Sequence, residues 1–346
     1  MHDLKGCLHV HSSYSDGDEP VAHILQAARQ TGLDYLVLTD HETTLARDDG
    51  WEGWHNGVLV VVGAEVQTGH HHCLALGIDH SAHAPRRDTA QQLAAIKQQG
   101  GLAFVAHPHP VHKPLFKLWV PGWDEWELDD FDGVEIWPFL HDWISDLHPW
   151  NFFSHVRDPD RWVTGPDPEL LGRWDAVGRR RRLVGIGSLD NHARRLPFGR
   201  YGPALMTIFP HRYAFRTVRT HLLANEPLSG EAADLATVRG LLGRGRCYVS
   251  YDLLADATGF RFMGRRPEGE DLQMGDEAPA AGPVAFRVAS PLQARLSLLR
   301  DGQPLATTVG RELEATDDRP GVYRVEARLG PRPWVFTNPI YLREPT

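Results

Sequence analysis

The feature that most constrains the fold is the alternation of short, wholly apolar runs with helical stretches over the first two thirds of the chain. Segments such as "DYLVLTD", "GVLVVVGAEV", "GLAFVAHP" and "LVGIGSLD" have the length and composition of buried strands. Helical stretches such as "PVAHILQAARQTG" and "TAQQLAAIKQQG" separate them. Strands that are apolar on both faces and joined by helices favour parallel pairing. With this many strand–helix units, we expect an α/β protein with a closed or distorted βα barrel rather than an open sheet.

Nearly every one of these strands ends in a polar cluster. In a βα barrel the C-terminal strand ends open onto one face, where active sites form. His9 and His11 lie two positions apart, so on a strand they would share one face. Imidazole and carboxylate groups that converge on one spot suit a divalent metal. The strand-end residues that we expect at this face are His9, His11, Asp40, His41, Glu65, His107, Asp190 and His192.

The sequence pattern changes at about residue 245. From there, short segments such as "GFRFMG", "VAFRVAS" and "GVYRVEARL" alternate apolar and polar residues, and "LLRDGQPL" contains the Asp-Gly pair typical of hairpins. This pattern predicts a small antiparallel β-sandwich. We therefore expect a barrel over residues 1–225, a connection over 226–245 and a β-sandwich domain over 246–346.

Composition limits the partners of the protein. A formal net charge of −9 argues against a broad nucleic-acid surface, although a bound metal can still attract a small phosphorylated substrate. The three cysteines are far apart and form no CxxC pair, which is typical of reduced intracellular thiols. The sequence contains no apolar run of membrane-spanning length and no signal-peptide pattern, so we expect a cytoplasmic protein without a membrane partner.

Six short motifs together resemble the PHP (polymerase and histidinol phosphatase) superfamily. They are "HVHSSYSDG", "TDH", "GAE", "HCLALG", "AHP" and "GSLDNH", in family order and with family spacing. The resemblance covers roughly residues 5–225 and implies a metal-dependent phosphoesterase on a distorted (β/α)7 barrel. The C-terminal pattern "GRCYVS…LLRDGQP…TNPIYL" looks like the carbaryl-hydrolase-like branch, which adds a β-domain.

The resemblance also implies two or three clustered divalent metal ions. Nitrogen and oxygen ligands without thiolate suit Zn, Mn or Fe. Carried over motif by motif, the ligands are His9, His11, Glu65 and Asp190 for a first ion, Glu65, His72 and His107 for a second, and Asp16, His41 and His192 for a third.

Two positions in this set allow alternatives. The family places its histidine five residues before the glycine that is Gly77 here, which favours His72 over His70 and His71. If this stretch is extended, His71 should point to the opposite face. Asp40 either orients a ligand or contacts a metal, or it only caps a strand or helix end.

Other histidines and the aromatic residues are less specific. His109, His141, His148 and His211 lie outside the motifs, and we expect them to be surface or packing residues. Glu135 lies on a family strand, but Trp137 and Pro138 follow it, which indicates a modified pocket wall. The Trp-rich segments 112–128 and 137–165 form either a hydrophobic layer of short helices or a lid over the metals.

The implied chemistry is hydrolysis by a metal-activated water. Asp190 or His192 would exchange protons with the water or the leaving group, and Arg194, Arg195 and Lys113 could bind phosphate oxygens. We expect the substrate to be a small phosphate ester such as a nucleotide. The alternatives are an ester, carbamate or amide hydrolase on the same metals, and a non-catalytic module, which the full ligand set disfavours.

Overall fold

The computed structural model describes residues 1–80, 88–116, 118–197 and 205–344. The helices in these residues are α1 (Val21–Gln30), α2 (Leu45–Asp48), α3 (Thr89–Gln98), α4 (Phe139–Ser145), α5 (Phe152–Arg157), α6 (Pro168–Arg180), α7 (His211–Ala214) and α8 (Ala233–Arg244), with short 3-10 turns at Pro114–Phe116 and Pro159–Trp162. Among the described residues, no helix has the length and apolar character that a membrane crossing requires.

The strands fall into two successive groups. The first group is β1 (His2–Val10), β2 (Tyr35–Leu38), β3 (Gly53–His55), β4 (Val58–Thr68), β5 (His71–Leu76), β6 (Leu102–Val105), β7 (Val111–Lys113), β8 (Leu118–Val120), β9 (Gly133–Pro138), β10 (Val184–Ser188), β11 (Arg195–Pro197), β12 (Leu205–Thr207) and β13 (Val218–Ala224). The second group is β14 (Cys247–Tyr251), β15 (Arg261–Arg265), β16 (Asp271–Gln273), β17 (Glu277–Pro279), β18 (Val284–Arg300), β19 (Gln303–Asp317), β20 (Gly321–Leu329), β21 (Arg332–Thr337) and β22 (Ile340–Arg343).

The protein is a mixed α/β protein with one large sheet. Its first part runs in the order β1–β2–β4–β5–β6–β9–β10, and the pairs β1/β2, β2/β4, β6/β9 and β9/β10 are parallel. Beyond β10, a parallel bridge joins Asn191 to Val10 at the end of β1. The ends of β1 and β10 therefore lie side by side, and the polar residues that follow them are brought together.

The parallel pairing expected for the apolar strands is observed in the four pairs β1/β2, β2/β4, β6/β9 and β9/β10, and two further strands, β5 and β13, run antiparallel to their neighbours. β5 is antiparallel to both β4 and β6, and β13 is antiparallel to β1. Only Gly69 and His70 separate β4 from β5, and Gly69 has a φ of 60°. Such a turn can join antiparallel strands, whereas a parallel crossover needs a dozen or more residues. The apolar composition of β5 reflects its burial on both faces. It does not indicate whether the strand runs parallel or antiparallel to its neighbours.

Successive residues of the buried strands pack into different hydrophobic clusters. Leu36 and Val60 contribute to a cluster that also contains the apolar faces of α1, α3 and α6. Val37 and Val61 point the other way, into a second cluster. α8 lies within the predicted connection 226–245, yet it packs into this second cluster and is part of the folded core. This double burial explains why the strands are apolar throughout.

The C-terminal strands continue the same sheet. β14 pairs with β13 on one side and with β21 on the other, both antiparallel. The later strands have their own hydrophobic cluster, which contains Phe286, Tyr323 and Trp334. Nearly all of their pairings are antiparallel as predicted, but β17 and β22 are parallel. The division into domains at 226–245 remains a prediction, since hydrogen bonding passes from β13 to β14.

A buried polar network joins β1 to the strands beside it. The ring of His221, on β13, lies between Asp3 and Asp252, with Nδ1 2.7 Å from Asp3 Oδ1 and Nε2 3.2 Å from Asp252 Oδ2. Tyr248 donates to Asp3, and Arg219 donates to Asp252. Burial disfavours the charged imidazole, but the hydrogen bonds and negative charges of the two aspartates outweigh it and raise the pKa of His221 to about 9.

We expect this network to make stability fall at alkaline pH. A raised pKa stabilises the fold fully below about pH 6.5, the unfolded value, and this contribution is lost as pH rises through about 9. The His221→Gln variant should therefore lose less stability than the wild type between these pH values, by on the order of 2 kcal/mol. Urea unfolding at both pH values measures the difference, with His23→Gln, an exposed position on α1, as the control. An equal change in the free energy of unfolding between the two pH values, in wild type and in His221→Gln, would contradict the prediction.

Candidate metal centre

Three residues of the site have strained backbone. His9, His107 and Asp190 have φ values of 62°, 29° and 50°, in the left-handed region that non-glycine residues rarely adopt. Such conformations cost on the order of 1–3 kcal/mol each and cluster at functional sites. At His9 the strain accompanies an irregularity in the pairing of β1 with β2. His9 and His11 are neighbours as predicted, with ring centroids 5.1 Å apart, but not through regular strand alternation.

Glu65, on β4, is the centre of the cluster and is buried. Its Oε2 lies 3.1 Å from His9 Nε2 and 3.3 Å from His11 Nε2. His41 Nδ1 is 3.2 Å from the same oxygen. One carboxylate oxygen thus faces three imidazole rings that come from two strand ends.

The other oxygen of Glu65 faces a different pair of rings. Oε1 lies 2.9 Å from His72 Nδ1 and 2.9 Å from His107 Nε2. His71 points away from this cluster, and its Nε2 lies 3.0 Å from Asp124. The two oxygens of Glu65 are therefore shared between two groups of histidines.

Asp190 is a second shared carboxylate. Its Oδ1 lies 3.4 Å from His9 Nε2 and 3.3 Å from His11 Nε2, and its Oδ2 lies 3.0 Å from His141 Nε2. The ring of His141 stacks on His107 with centroids 4.5 Å apart. His141, which the sequence predicts to be a surface or packing residue, is buried and contacts Asp190 directly.

Asp16 lies among a third group of histidines, on the more exposed side of the cluster. Its Oδ1 lies 3.1 Å from His192 Nε2, 3.6 Å from His41 Nε2 and 3.8 Å from His11 Nδ1. The other oxygen accepts a hydrogen bond of 2.9 Å from Arg194 Nη2. This group is more exposed than the two around Glu65.

Asp40 holds the loop that carries Asp16. Its carboxylate accepts hydrogen bonds from the backbone N–H and hydroxyl of Ser12, at 2.8 and 2.7 Å, and from the Ser15 hydroxyl at 2.7 Å. Every partner that it has here belongs to this loop, and no candidate ligand group within the described residues includes it. This favours the positioning alternative for Asp40.

The donor atoms of the cluster fit a divalent metal. Four groups have ligand atoms within 4.8 Å of one another: His9, His11, Glu65 and Asp190; Glu65, His72 and His107; His11, Asp16, His41 and His192; and His107, His141 and Asp190. Several of these buried atoms, including His9 Nε2, His11 Nε2 and Glu65 Oε2, have no hydrogen-bond partner. Buried polar atoms without partners are costly, and a cation would satisfy several at once.

The neighbouring histidines favour the ionised form of the two buried carboxylates, Glu65 and Asp190. Burial disfavours the charge of Glu65, yet the charge of His9 and hydrogen bonds from neighbouring histidines hold its pKa well below the usual value. The pKa of Asp190 is lowered for the same reasons against the same burial. Conversely, burial opposes a charge on His9, but Glu65, Glu135 and Asp190 raise its pKa. Carboxylates that stay ionised, and imidazoles that release their protons on metal binding, are suitable ligands for a divalent metal.

Glu135 contacts two of the residues with strained backbone, His9 and His107. Its Oε1 lies 2.7 Å from His9 Nδ1, and its Oε2 accepts a 2.6 Å hydrogen bond from the backbone N–H of His107. The side chain is completely buried. This contact turns His9 Nε2 toward Glu65 and fixes the left-handed turn at His107. Glu135 is therefore a positioning residue, a role that its sequence context as a pocket wall did not indicate.

We expect the Glu135→Ala variant to bind divalent metal about 10–100-fold more weakly, because carboxylates behind a histidine ligand contribute that much to affinity. Glu135→Gln can still accept from His107 and should lose less. Competition with a chelating dye measures the affinity. Glu226→Ala, at an exposed position, is the control. Wild-type affinity in Glu135→Ala would contradict the positioning role.

A cavity of about 340 Å³ opens over the cluster. Asp190, His192 and Arg194 line it together with apolar residues. Of the three cations predicted to bind substrate, only Arg194 lies here. Arg195 is paired with Glu19, and Lys113 donates to a backbone carbonyl.

His109, His148 and His211 belong to none of the candidate ligand groups found among the described residues. His109 lies 3.8 Å from Asp167, and His148 stacks on the exposed Trp150. His211 is buried and lies 2.9 Å from the Asn191 amide, next to Asp190 in sequence. Burial lowers the pKa of His211 to about 3, so this ring is neutral at physiological pH.

A family model matches the N-terminal part of the chain. Residues 8–107 match the family model of the PHP domain. The uncharacterized protein MJ1587 of Methanocaldococcus jannaschii is 30% identical over 152 residues, which are 40% of this chain and 84% of that protein. The phosphoribosyl 1,2-cyclic phosphate 1,2-diphosphodiesterase of Eggerthella lenta is 39% identical over 84 residues, which are 22% of this chain and only 32% of that enzyme.

One solved structure resembles the chain over nearly its whole length. It is a two-domain protein of Bacteroides vulgatus that contains a predicted PHP-like metal-dependent phosphoesterase. The likeness is distant, with 15% identity and a TM-score of 0.42 over 97% of this chain and 95% of the other.

Proposed function

Because the chain belongs to the PHP domain family, we propose that it is a metal-dependent phosphoesterase that hydrolyses a small phosphate ester with a metal-activated water. The observation that carries the proposal is the position of Glu65, whose two buried oxygens face two different groups of histidines. A carboxylate in that position suits a bridge between two metal ions.

The ligand groups suggest two or three ions. The first would be held by His9, His11, Glu65 and Asp190. The second would be held around His107, by Glu65 and His72 on one side or by Asp190 and His141 on the other. The third would be held by Asp16 with His11, His41 and His192. The absence of thiolate suits Zn, Mn or Fe.

The bound metals would supply an activated water and neutralise charge on the phosphoryl oxygens. The chain's own residues would orient the substrate and move protons. His192 and Asp190 line the cavity, so either can exchange a proton with the water or the leaving group. Arg194 lies at the same cavity, where its guanidinium can bind a phosphate oxygen.

The proposal includes the finer architecture. The strands β1, β2, β4, β5, β6, β9 and β10 would form the distorted (β/α)7 barrel, with the Asn191–Val10 bridge closing it. The strands after β14 would form the β-sandwich domain. The metal centre would then lie where the barrel strands end.

The proposed function is tested by metal analysis followed by a substrate panel. Protein purified without chelators or added metal should contain at least two equivalents of transition metal. It should hydrolyse 4-nitrophenyl phosphate or a nucleotide, and chelation should abolish the activity. Less than one equivalent of metal, or no turnover of any phosphate ester after metal loading, would contradict the proposal.

A second candidate is the hydrolysis of carboxylic or carbamate esters at the same metals. The apolar residues in the cavity wall favour it, since Leu140, Ile144 and Phe209 can pack against an apolar substituent of the substrate. Aryl carboxylic and carbamate esters therefore belong in the same panel. Turnover of these esters alone, abolished by Asp190→Asn, would replace the phosphoesterase proposal.

A further inference from the structure

The position of His141 depends on helix α4, which cannot fix its own direction. The helix has seven residues, and its N-cap residue, Pro138, has no side-chain group that could cap it. A helix this short is not stable by itself. Its first turn is tied to the end of β10 by a hydrogen bond of 3.3 Å from the Leu140 N–H to the Leu189 carbonyl. The rest of its orientation has to come from tertiary contacts.

Asp142 is the residue of α4 that makes most of these contacts. Its Oδ1 accepts hydrogen bonds from the N–H and the hydroxyl of Thr164, at 3.0 and 2.8 Å. Its Oδ2 accepts from the N–H of Gly165 and from the indole of Trp137, both at 2.9 Å. Because Asp142 directly follows His141, these four bonds hold the backbone that carries the histidine.

Two of the partners of Asp142 pack on the C-terminal strands. A Cβ added at Gly165 would lie 2.5 Å from Pro333 Cγ, so the backbone of Gly165 lies directly against β21. The ring of Trp137 stacks on Tyr251 of β14, with centroids 5.6 Å apart, and meets the ring of Phe336 of β21 edge-on at 5.7 Å. The groups that hold Asp142 are therefore themselves supported by β14 and β21.

Asp160 makes a second connection to the same strands. It lies in the 3-10 turn Pro159–Trp162 and accepts two hydrogen bonds from Arg332 of β21, from Nη1 at 2.7 Å and from Nη2 at 2.6 Å. The Tyr251 hydroxyl donates a third at 2.8 Å. A carboxylate that is paired with both nitrogens of a guanidinium is fixed in orientation as well as in distance.

The turn that carries Asp160 reaches α4 through aromatic residues. The ring of Trp162 stacks on the buried His155, with centroids 3.9 Å apart. The carbonyl of His155 accepts a hydrogen bond of 3.2 Å from the indole of Trp143, which lies on α4. A continuous set of contacts therefore joins β21 to α4.

We propose that the C-terminal strands β14 and β21 position His141 at the candidate metal centre, through the contacts that Asp142 and Asp160 make. The inference rests on the proposed function, because it gives these strands a part in the same centre. His141 lies 3.0 Å from Asp190 and stacks on His107, so its position affects two candidate ligands. Asp142 and Asp160 act through His141 and are positioning residues.

Metal affinity provides a readout that does not depend on turnover. His141→Ala should weaken divalent metal binding by about 10–100-fold, because groups that orient metal ligands contribute that much to affinity. Asp160→Ala should weaken it by about 3–10-fold. The effect is smaller because β9 and the Leu140 hydrogen bond still hold the first turn of α4. Arg332→Met breaks the same pair from the other side and replaces Asp160→Ala if that variant folds poorly.

A double variant distinguishes positioning from a general loss of stability. If Asp160 acts through His141, the variant that combines Asp160→Ala with His141→Ala should bind metal no more weakly than His141→Ala alone. Asp160→Asn keeps one acceptor oxygen for Arg332, so its affinity should lie between those of the wild type and Asp160→Ala. Competition with a chelating dye measures all of these affinities.

The matched control is Asp276→Ala. Asp276 also accepts two hydrogen bonds from an arginine, Arg246, at 2.9 and 2.6 Å. Its side chain is 28% exposed, against 38% for Asp160. The other group that donates to its side chain is the N–H of Gln273, so this carboxylate holds no part of the segment 137–165. The control variant should retain wild-type metal affinity.

The outcomes separate this inference from the proposed function. Wild-type affinity in both Asp160→Ala and Arg332→Met would overturn the positioning of His141 and leave the phosphoesterase proposal intact. The same holds if the two losses multiply in the double variant, or if Asp276→Ala loses as much affinity as Asp160→Ala. Less than one equivalent of metal in the wild-type protein would overturn both proposals.

Discussion

Replacing Glu65 by alanine is expected to remove at least half of the bound metal and to lower kcat/KM on phosphate esters by about 1000-fold. The reason is that both oxygens of Glu65 face histidine groups, Oε2 toward His9 and His11 and Oε1 toward His72 and His107. One substitution would weaken two sites. Metal ions contribute several kcal/mol of charge stabilisation in such reactions, which corresponds to a rate factor of this size.

The matched comparison is with His192→Ala. This residue belongs to the group around Asp16 alone, so its loss should remove less metal than the loss of Glu65. Glu226→Ala, exposed and far along the chain, should retain both metal and activity. Metal content is measured by elemental analysis of gently purified protein. An equal or greater loss of metal in His192→Ala would contradict the bridging position of Glu65.

The Asp175→Ala variant is expected to be destabilised by about 2–3 kcal/mol, because it removes two hydrogen bonds from a buried arginine, Arg324, whose remaining carboxylate partner is Glu326. Asp175, on α6, accepts two hydrogen bonds from Arg324 on β20, from Nε at 2.8 Å and from Nη2 at 2.9 Å. Both side chains are buried, with 4% and 2% of their surface exposed. The pair connects α6 to the C-terminal strands. Chemical denaturation measures the loss.

A double variant distinguishes the effect of the unpaired buried charge of Arg324 from the effect of losing its contact with Asp175. Removing both groups, as in Asp175→Ala combined with Arg324→Met, leaves no unpaired buried charge, so it should recover much of the stability lost in Asp175→Ala. Arg287→Met is the control, since Arg287 pairs with Glu312 at the surface and such pairs contribute little. A double variant less stable than Asp175→Ala would show that the contact itself, rather than the buried charge, carries the effect.

Much of the candidate centre could be predicted from strand ends. His9, His41, Glu65, His107 and Asp190 lie at or near the ends of apolar strands, and the structure brings them together. This succeeds because the direction of a buried strand determines where its terminal residues lie. His72 could be distinguished from its neighbours by motif spacing, and the structure turns it toward Glu65.

His141 and Glu135 were not predicted as parts of the centre. His141 lies on α4, and the direction of that short helix decides whether the ring reaches Asp190. Glu135 lies inside β9. The alternation of side chains along this strand is compatible with Glu135 lining a pocket wall and equally with Glu135 contacting His9. Each contact joins residues that are distant in sequence, so local patterns could not indicate them.

The sequence by itself determined the mixed α/β class, the positions of the strands and the metal-type residues that follow them, because burial and strand periodicity are local properties of the chain. Only the tertiary structure decided the antiparallel direction of β5, the continuation of the sheet from β13 to β14 and the cavity over the metal centre. Strand pairing and the orientation of a helix depend on which distant surfaces pack together, and that packing places Glu135 behind His9 and His141 beside Asp190.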